Sequence, residues 1–236
     1  MNTLAGIHPV LEALRARQPL QRVLIAKGAG GARIQEIVEL CRDAQVPVRF
    51  ETRDALDRMS ATSVHQGVVA LGAAQTFADL DGISANAKMI VILDGVEDPH
   101  NVGAIIRTAH AAGADAICIP DRRNAPVSDV AAKAAAGALA HLPVARIGNV
   151  NHALESLKKR GYWIYGLDER GEHTYDKVTY TEPAALVLGG EGKGLHQQVA
   201  KHCDFLIRIP MAGKISSLNV SVAAGVVLFE WKRART

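Results

Sequence analysis

Apolar residues recur along this chain in short blocks whose period keeps changing. Val10, Leu11 and Leu14 have helical spacing and predict a first helix. Residues 22–26 (Arg-Val-Leu-Ile-Ala) predict a strand, and Ile34, Ile37, Val38, Leu40 and Cys41 a second helix. Strands are predicted again at 46–50 and 66–71. From about Gly72 to Lys88 the pattern fades into a linker-like composition. The expected organisation is therefore a small α/β domain over 1–72, a linker over 73–87 and a larger domain over 88–236.

The second alternation opens with a buried-type strand at 89–93. Asp98 before Pro99 marks a helix start, and Val102, Ile105, Ile106 and Ala109 form its apolar face. Gly113 ends it, and 116–119 is the next strand. Residues 127–140 read as one Ala-rich helix whose small side chains permit tight packing. A helix at 153–159, strands at 162–165 and 186–188, a short helix at 195–200 and a strand at 205–209 follow. Such alternation predicts a mainly parallel sheet covered on both faces, with sites beyond the carboxyl ends of its strands.

The last helix is unusual. Val220, Val222, Val226 and Val227 are poor helix formers. Gly225 should cost about 1 kcal/mol against Ala in an exposed helix. Burial on nearly all sides would offset this, with Gly225 admitting another backbone closely. Ser216 or Ser217 is the expected cap, and Ser216, Ser217, Asn219 and Ser221 gather polar groups at the helix start. They suit either capping alone or a small-ligand or oxyanion site.

Composition narrows the class only slightly. The formal charge is +3, which does not by itself imply nucleic acid. Cys41, Cys118 and Cys203 are scattered, against a disulfide framework or zinc and for a reducing compartment. The nine histidines lack metal-ligand spacing, so no metal site is expected. There is no signal-peptide pattern, and the longest apolar runs are too short to span a bilayer. A cytoplasmic protein is expected.

The Gly-rich run after 186–188 is not a Walker loop, because Lys193 precedes Gly rather than Ser or Thr. It does not follow G-x-G-x-x-G either, and Glu191 would oppose a pyrophosphate. Its glycines suit a tight strand–helix turn, or close approach to a ligand or another chain segment. Arg107 could be a surface residue or, beside His100 and Asn101, a bidentate phosphate ligand.

Three stretches occur together: Asp98-Pro-His-Asn-Val-Gly-Ala-Ile-Ile-Arg107, Leu188-Gly-Gly-Glu-Gly-Lys-Gly-Leu195, and Ile209-Pro-Met-Ala-Gly-Lys-Ile-Ser-Ser-Leu-Asn219 with its helix to Gly225. They resemble, in order and spacing, the three motifs of the SpoU/TrmH family of RNA ribose methyltransferases. Residues 1–72, with Gly6-Ile-His-Pro-Val10 and His65-Gln-Gly-Val-Val69, resemble the N-terminal RNA-binding domain of one branch. That branch methylates a guanosine of bacterial 23S ribosomal RNA. Two positions depart from the family: Gly190 stands where Ser or Ala is frequent, and Ala135 where a small polar residue is.

The resemblance implies an α/β domain of the SPOUT type with a C-terminal trefoil knot, preceded by a ribosomal-protein-like α/β RNA-binding domain. It implies S-adenosylmethionine bound in the knot, a homodimer, and methyl transfer to a ribose 2′-oxygen of RNA. Matching positions make Gly189, Gly194, Ile209, Met211 and Leu218 cofactor contacts. The resemblance makes Asn101, Arg107, Glu191, Ser217 and Asn219 the reaction's residues and gives Arg107 the activating role. A guanidinium is a poor base, so Arg107 is expected to bind the neighbouring phosphate and stabilise the developing alkoxide, with Asn101, Glu191, Ser217 and Asn219 positioning Arg107 and the ribose. The competing expectations are a transfer-RNA methyltransferase, a non-catalytic RNA binder and a dinucleotide-dependent oxidoreductase. Intact Asn101, Arg107, Glu191 and Asn219 argue against the binder, and the missing G-x-G-x-x-G against the oxidoreductase.

Overall fold

The computed structural model describes residues 3–18, 20–60, 65–72, 77–83, 85–192, 194–214 and 217–235. It divides into two compact units, Met1–Gln75 and Thr76–Thr236.

The first unit runs β1 (Thr3–Ala5), α1 (Ile7–Arg15), β2 (Leu20–Ala26), α2 (Ala32–Asp43), β3 (Val48–Glu51), α3 (Arg53–Met59) and β4 (Val68–Gly72). Its sheet has the order β1-β4-β2-β3, with β2 and β3 parallel and β4 antiparallel to both its neighbours. The two-residue period of β2 divides the core. Val23 and Ile25 pack with Val10, Leu14, Ile37 and Cys41 from α1 and α2. Leu24 and Ala26 pack on Leu56 of α3.

Two elements here are absent from the sequence reading. α3 buries only Leu56, so it has no apolar period to read; Thr52 caps it, its Oγ1 accepting from Ala55 N–H at 3.3 Å. β1 is three residues long and pairs with β4. The strand expected from residue 66 begins at Val68, because Gln66 and Gly67 have positive φ and form a turn. Buried His65 braces that turn, accepting from Gly67 N–H at 3.0 Å and meeting Asp57 at 2.8 Å.

The second unit begins with part of the stretch expected as linker. Ala78 bridges Ala145, its backbone bonding to Val144 and Arg146. Arg160 donates to the carbonyls of Leu80 and Ile83, and Tyr162 Oη–H to that of Ala87 at 2.7 Å. These residues are loop-like in composition yet pack on the sheet domain.

Then come β5 (Met89–Asp94), α4 (Pro99–Ala112), β6 (Ala116–Pro120), α5 (Asp129–Ala135), β7 (Val144–Ile147), α6 (Val150–Lys159), β8 (Trp163–Leu167), β9 (His173–Thr174), β10 (Ala184–Gly189), α7 (Gln197–His202), β11 (Phe205–Arg208) and α8 (Val220–Arg233). The strands form one seven-stranded sheet of order β7-β6-β5-β10-β8-β11-β9, parallel at every pairing. The expectation of a parallel sheet with both faces covered holds. Met89, Val91 and Leu93 face one core, Ile90 and Ile92 the other.

α4 starts as read. Asp98 Oδ1 accepts from His100 N–H at 2.8 Å and Pro99 occupies the first turn, a cap contributing about 1 kcal/mol. The helix expected over 127–140 instead breaks. α5 ends at Ala135, Ala136 and Gly137 take left-handed φ, and Ala138–Ala140 is a single 3₁₀ turn. The small residues do serve tight packing: a Cβ on Gly103 of α4 would lie 2.2 Å from the Ala131 carbonyl oxygen.

α8 corrects the sequence reading in three respects. Its cap is Asn219, whose Oδ1 accepts from Ser221 N–H at 2.9 Å and Val222 N–H at 3.3 Å; Ser217 lies outside the helix, and Ser216 outside the described residues. Burial is one-sided, with Val220, Ala224, Val227, Leu228 and Trp231 buried but Val222 53% and Phe229 48% exposed. Among the described residues Gly225 meets no backbone of another element: a Cβ there would touch only Thr108 Cγ2, at an ordinary 3.6 Å.

Candidate active site

Gly189 ends β10 at the carboxyl edge of the sheet, and Gly190, Glu191, Gly192 and Gly194 follow it. The loop folds back on itself, Gly194 N–H donating to the Gly190 carbonyl at 3.2 Å. A Cβ on Gly189 would lie 2.3 Å from the Gly194 carbonyl carbon, and one on Gly190 2.1 Å from the Gly95 oxygen. Glycine is thus obligatory on this backbone path at both positions, including Gly190, where the resemblance led one to expect Ser or Ala.

Two buried carboxylates anchor the loop's exit. Asp168, just after β8, accepts from Leu195 N–H at 3.0 Å. Asp94, at the end of β5, accepts from His196 N–H at 2.9 Å and meets the His196 ring at the same distance. α7 starts at Gln197 and not at 195 as expected, because His196 holds an extended ψ of 139° at its cap position. Burial opposes ionisation of Asp168, but the Arg170 fork, at 2.7 Å to each oxygen, with the Arg170 and Leu195 N–H groups, outweighs it. Its carboxyl therefore titrates below the usual range.

A second set of bonds ties three motifs together. Asn219 Nδ2–H donates to Asn101 Oδ1 at 3.0 Å, and Asn101 Nδ2–H donates to Glu191 Oε1. The first turn of α4, the glycine loop and the cap of α8 are joined through one buried asparagine. Glu191 Oε2 has no hydrogen-bond partner among the described residues.

Beside this set lies a cavity of about 190 Å³. All five residues expected to contact a cofactor line it: Gly189, Gly194, Ile209, Met211 and Leu218. Glu191 and Ser217 line it too. Arg107 does not. It is exposed on α4 and makes no hydrogen bond or ion pair among the described residues. The sequence reading missed Asp168 and Glu169, which also line the cavity. Their signal was Leu167-Asp-Glu-Arg-Gly171, a polar loop at the carboxyl end of a strand.

The cavity pairs apolar walls (Leu167, Leu188, Ile209, Leu218, Val220) with carboxylates and exposed glycine backbone. That donor set fits a flat heteroaromatic ring carrying a cationic tail. Among the described residues no three His, Cys, Asp or Glu side chains gather as metal ligands would.

Residues 88–229 match the SpoU rRNA methylase family, and residues 3–78 match the RNA 2′-O ribose methyltransferase substrate-binding family. The chain is 41% identical to YacO of Bacillus subtilis, named as a TrmH family tRNA/rRNA methyltransferase, over 98% of this chain and 94% of that one. The SpoU methyltransferase AviRb of Streptomyces viridochromogenes, solved in complex with AdoMet, superposes with a TM-score of 0.75 at 26% identity, covering 99% of this chain and 89% of AviRb. An AdoMet-bound rRNA methyltransferase of Sinorhizobium meliloti gives 0.73 at 26% identity, covering 98% and 86%. From motifs that meet at one cavity and matches that span both units, the chain belongs to the SpoU rRNA methylase family and is an RNA methyltransferase.

Proposed function

We propose that the chain transfers the methyl group of S-adenosylmethionine to a ribose 2′-hydroxyl of RNA, the target being a guanosine of 23S ribosomal RNA. The observation that carries this is the hydrogen-bonded set Asn101–Glu191–Asn219 on the rim of the cavity. The cofactor brings an electrophilic methyl on a sulfonium. Leu167, Ile209, Met211 and Leu218 would sandwich its adenine, backbone of Gly189 and Gly194 would take its polar edge, and Glu169 would face its cationic tail. Asn101 holds Glu191, whose second oxygen, with no hydrogen-bond partner among the described residues, would accept the ribose hydroxyl and take its proton. Ser217 lies at the same rim and positions the ribose.

Arg107 stands apart from its own cavity, so we assign it to the site of a second copy in a homodimer. Exposed Val222 and Phe229 on α8, which packs on α4, support such an interface. There the guanidinium binds the phosphate beside the target and stabilises the developing oxyanion. The close approaches at Gly189 and Gly190 support a knotted path. Residues 1–72 would deliver the RNA, as the substrate-binding match suggests. Cys41, Cys118 and Cys203 are free, and no helix among the described residues is long and apolar enough to cross a membrane, which fits a cytoplasmic setting.

Mapping 2′-O-methylation across ribosomal and transfer RNA, with and without the gene, tests the reaction and its target together. Loss of one 23S guanosine methyl group is expected. Loss from a transfer RNA would move the target, and no loss anywhere would refute the reaction. Mixing Arg107→Ala with Asn101→Ala subunits tests the shared site, since one wild-type site should reassemble and restore activity. Isothermal titration with excess chelator should still show cofactor binding.

A further inference from the structure

Two larger cavities, about 470 Å³ each, continue along the carboxyl edge of the sheet. One shares Gly190, Glu191 and Gly194 with the cavity of the candidate site. The other shares Asp94, Gly95, Arg123 and His196 with that one, and reaches Arg122 and the start of α6. A path of shared walls thus leads from Glu191 to two arginines after β6 that the reaction does not use.

Arg122 and Arg123 are exposed and have no hydrogen bond or ion pair among the described residues. Their neighbour Asp121 is engaged by Arg146 at 2.7 Å, so the local acid does not neutralise them. Arg123 has a φ of 60°, a left-handed conformation that long side chains rarely adopt. The loop is held there by Asn124, whose Oδ1 accepts from Gly95 and Val96 N–H, both at 2.8 Å. That clamp ties the arginines to the end of β5, which also leads into α4 and Asn101. In the first turn of α6, Asn151 lines the same cavity with a buried Oδ1 that has no hydrogen-bond partner among the described residues. Among the acids, Asp94 is committed to His196, and Glu97 lines only the middle cavity. Two unpaired planar guanidinium groups beside neutral amides suit a phosphodiester with an adjoining base edge.

We infer that this groove holds the RNA strand flanking the target nucleotide, Arg122 and Arg123 gripping its phosphates while the target ribose lies at Glu191. The inference rests on the proposed reaction. It makes the two arginines determinants of substrate binding on the catalytic unit itself, additional to whatever the N-terminal unit contributes.

Tritium transfer from S-adenosylmethionine by the full chain is measured on unmodified transcripts of small- and large-subunit ribosomal RNA and of transfer RNA. If the wild type methylates none, the proposed reaction has failed, and this inference falls with it. On the RNA that is accepted, Arg122→Gln and Arg123→Gln should each raise KM about three- to tenfold, leaving kcat and cofactor affinity within about twofold. Each should also lessen the slope of log kcat/KM against log salt by about 0.7, the value for one single-strand phosphate contact. Arg122→Lys should restore the slope but not the full KM, because the charge returns without the fork. Unchanged KM and slope in the double variant, or a fall in kcat at constant KM, overturns the inference. Cofactor affinity and thermal melting monitor folding; if Arg123→Gln melts early, Arg122→Gln alone decides.

Discussion

Asn101 Oδ1 accepts a hydrogen bond from Asn219 Nδ2 at 3.0 Å, joining residues 118 positions apart. The same asparagine donates to Glu191, so one amide serves as both acceptor and donor at the junction of three motifs. Asn101→Ala should therefore cut kcat by about 100-fold, the scale of a lost preorganised polar group. Asn101→Asp should do no better, since it would set a carboxylate against Glu191. Single-turnover methyl transfer at saturating cofactor checks both; a variant with near-normal turnover would make the set purely structural.

Arg107→Ala should leave stability within about 0.5 kcal/mol, as expected for an exposed side chain with no partner among the described residues. Cofactor affinity should also hold, while transfer falls roughly 100-fold. Arg107→Lys should recover only part, because the planar fork is lost. Calorimetry beside initial rates separates the two effects.

Gly189→Ala drives a methyl into the Gly194 backbone, with 2.3 Å available, and should destabilise by about 1–3 kcal/mol while abolishing cofactor binding. Gly30→Ala, where nothing lies within 4 Å of the added carbon, is the control and should be neutral or slightly stabilising. Equal melting temperatures for the two variants would contradict the close approach.

Asp168 supplies a pH dependence with a definite sign. Its folded carboxyl is held low, so the stabilisation is full above the ordinary carboxylate value of about 4 and is lost as pH falls through the lowered value. Arg170→Ala removes the fork and leaves burial opposed only by the two backbone N–H groups, so the variant should be less stable at neutral pH. The gap in melting temperature between wild type and variant should shrink on acidification. A gap unchanged at pH 3 would show that Arg170 acts through packing instead.

A fragment covering 77–236 retains the Ala78 bridge to Ala145 and every residue of the candidate site. It should fold, bind S-adenosylmethionine and lose methylation of the natural RNA. Adding residues 1–75 separately should restore little, because tethering supplies an effective concentration of up to about millimolar. Full activity of the fragment would move target selection wholly into the second unit.

Much of this was legible in order along the chain. Continuous apolar runs such as Met89–Leu93 declare buried parallel strands, since both faces must avoid water. Asp98-Pro99 declares a helix start because capping is local chemistry. The motif residues Gly189, Ile209 and Leu218 declared a common cavity through their resemblance, and they line one. What stayed hidden depends on partners distant in sequence. α3 is a helix because Leu56 is needed under β2, which no local period reveals. The helix after Ser128 stops at Ala135, where the chain turns through left-handed Ala136 and Gly137 to bury Ala138. Asn219 rather than a serine caps α8, with Asn101 holding its amide from across the fold. The polar loop after β8 marked Asp168 only as a strand-end residue; its bond to Leu195 N–H formed when β8 was set beside β10 and β11. Period, capping and glycine content are read over a few residues and are written in the sequence; contacts that close over a hundred positions are decided only when the sheet assembles.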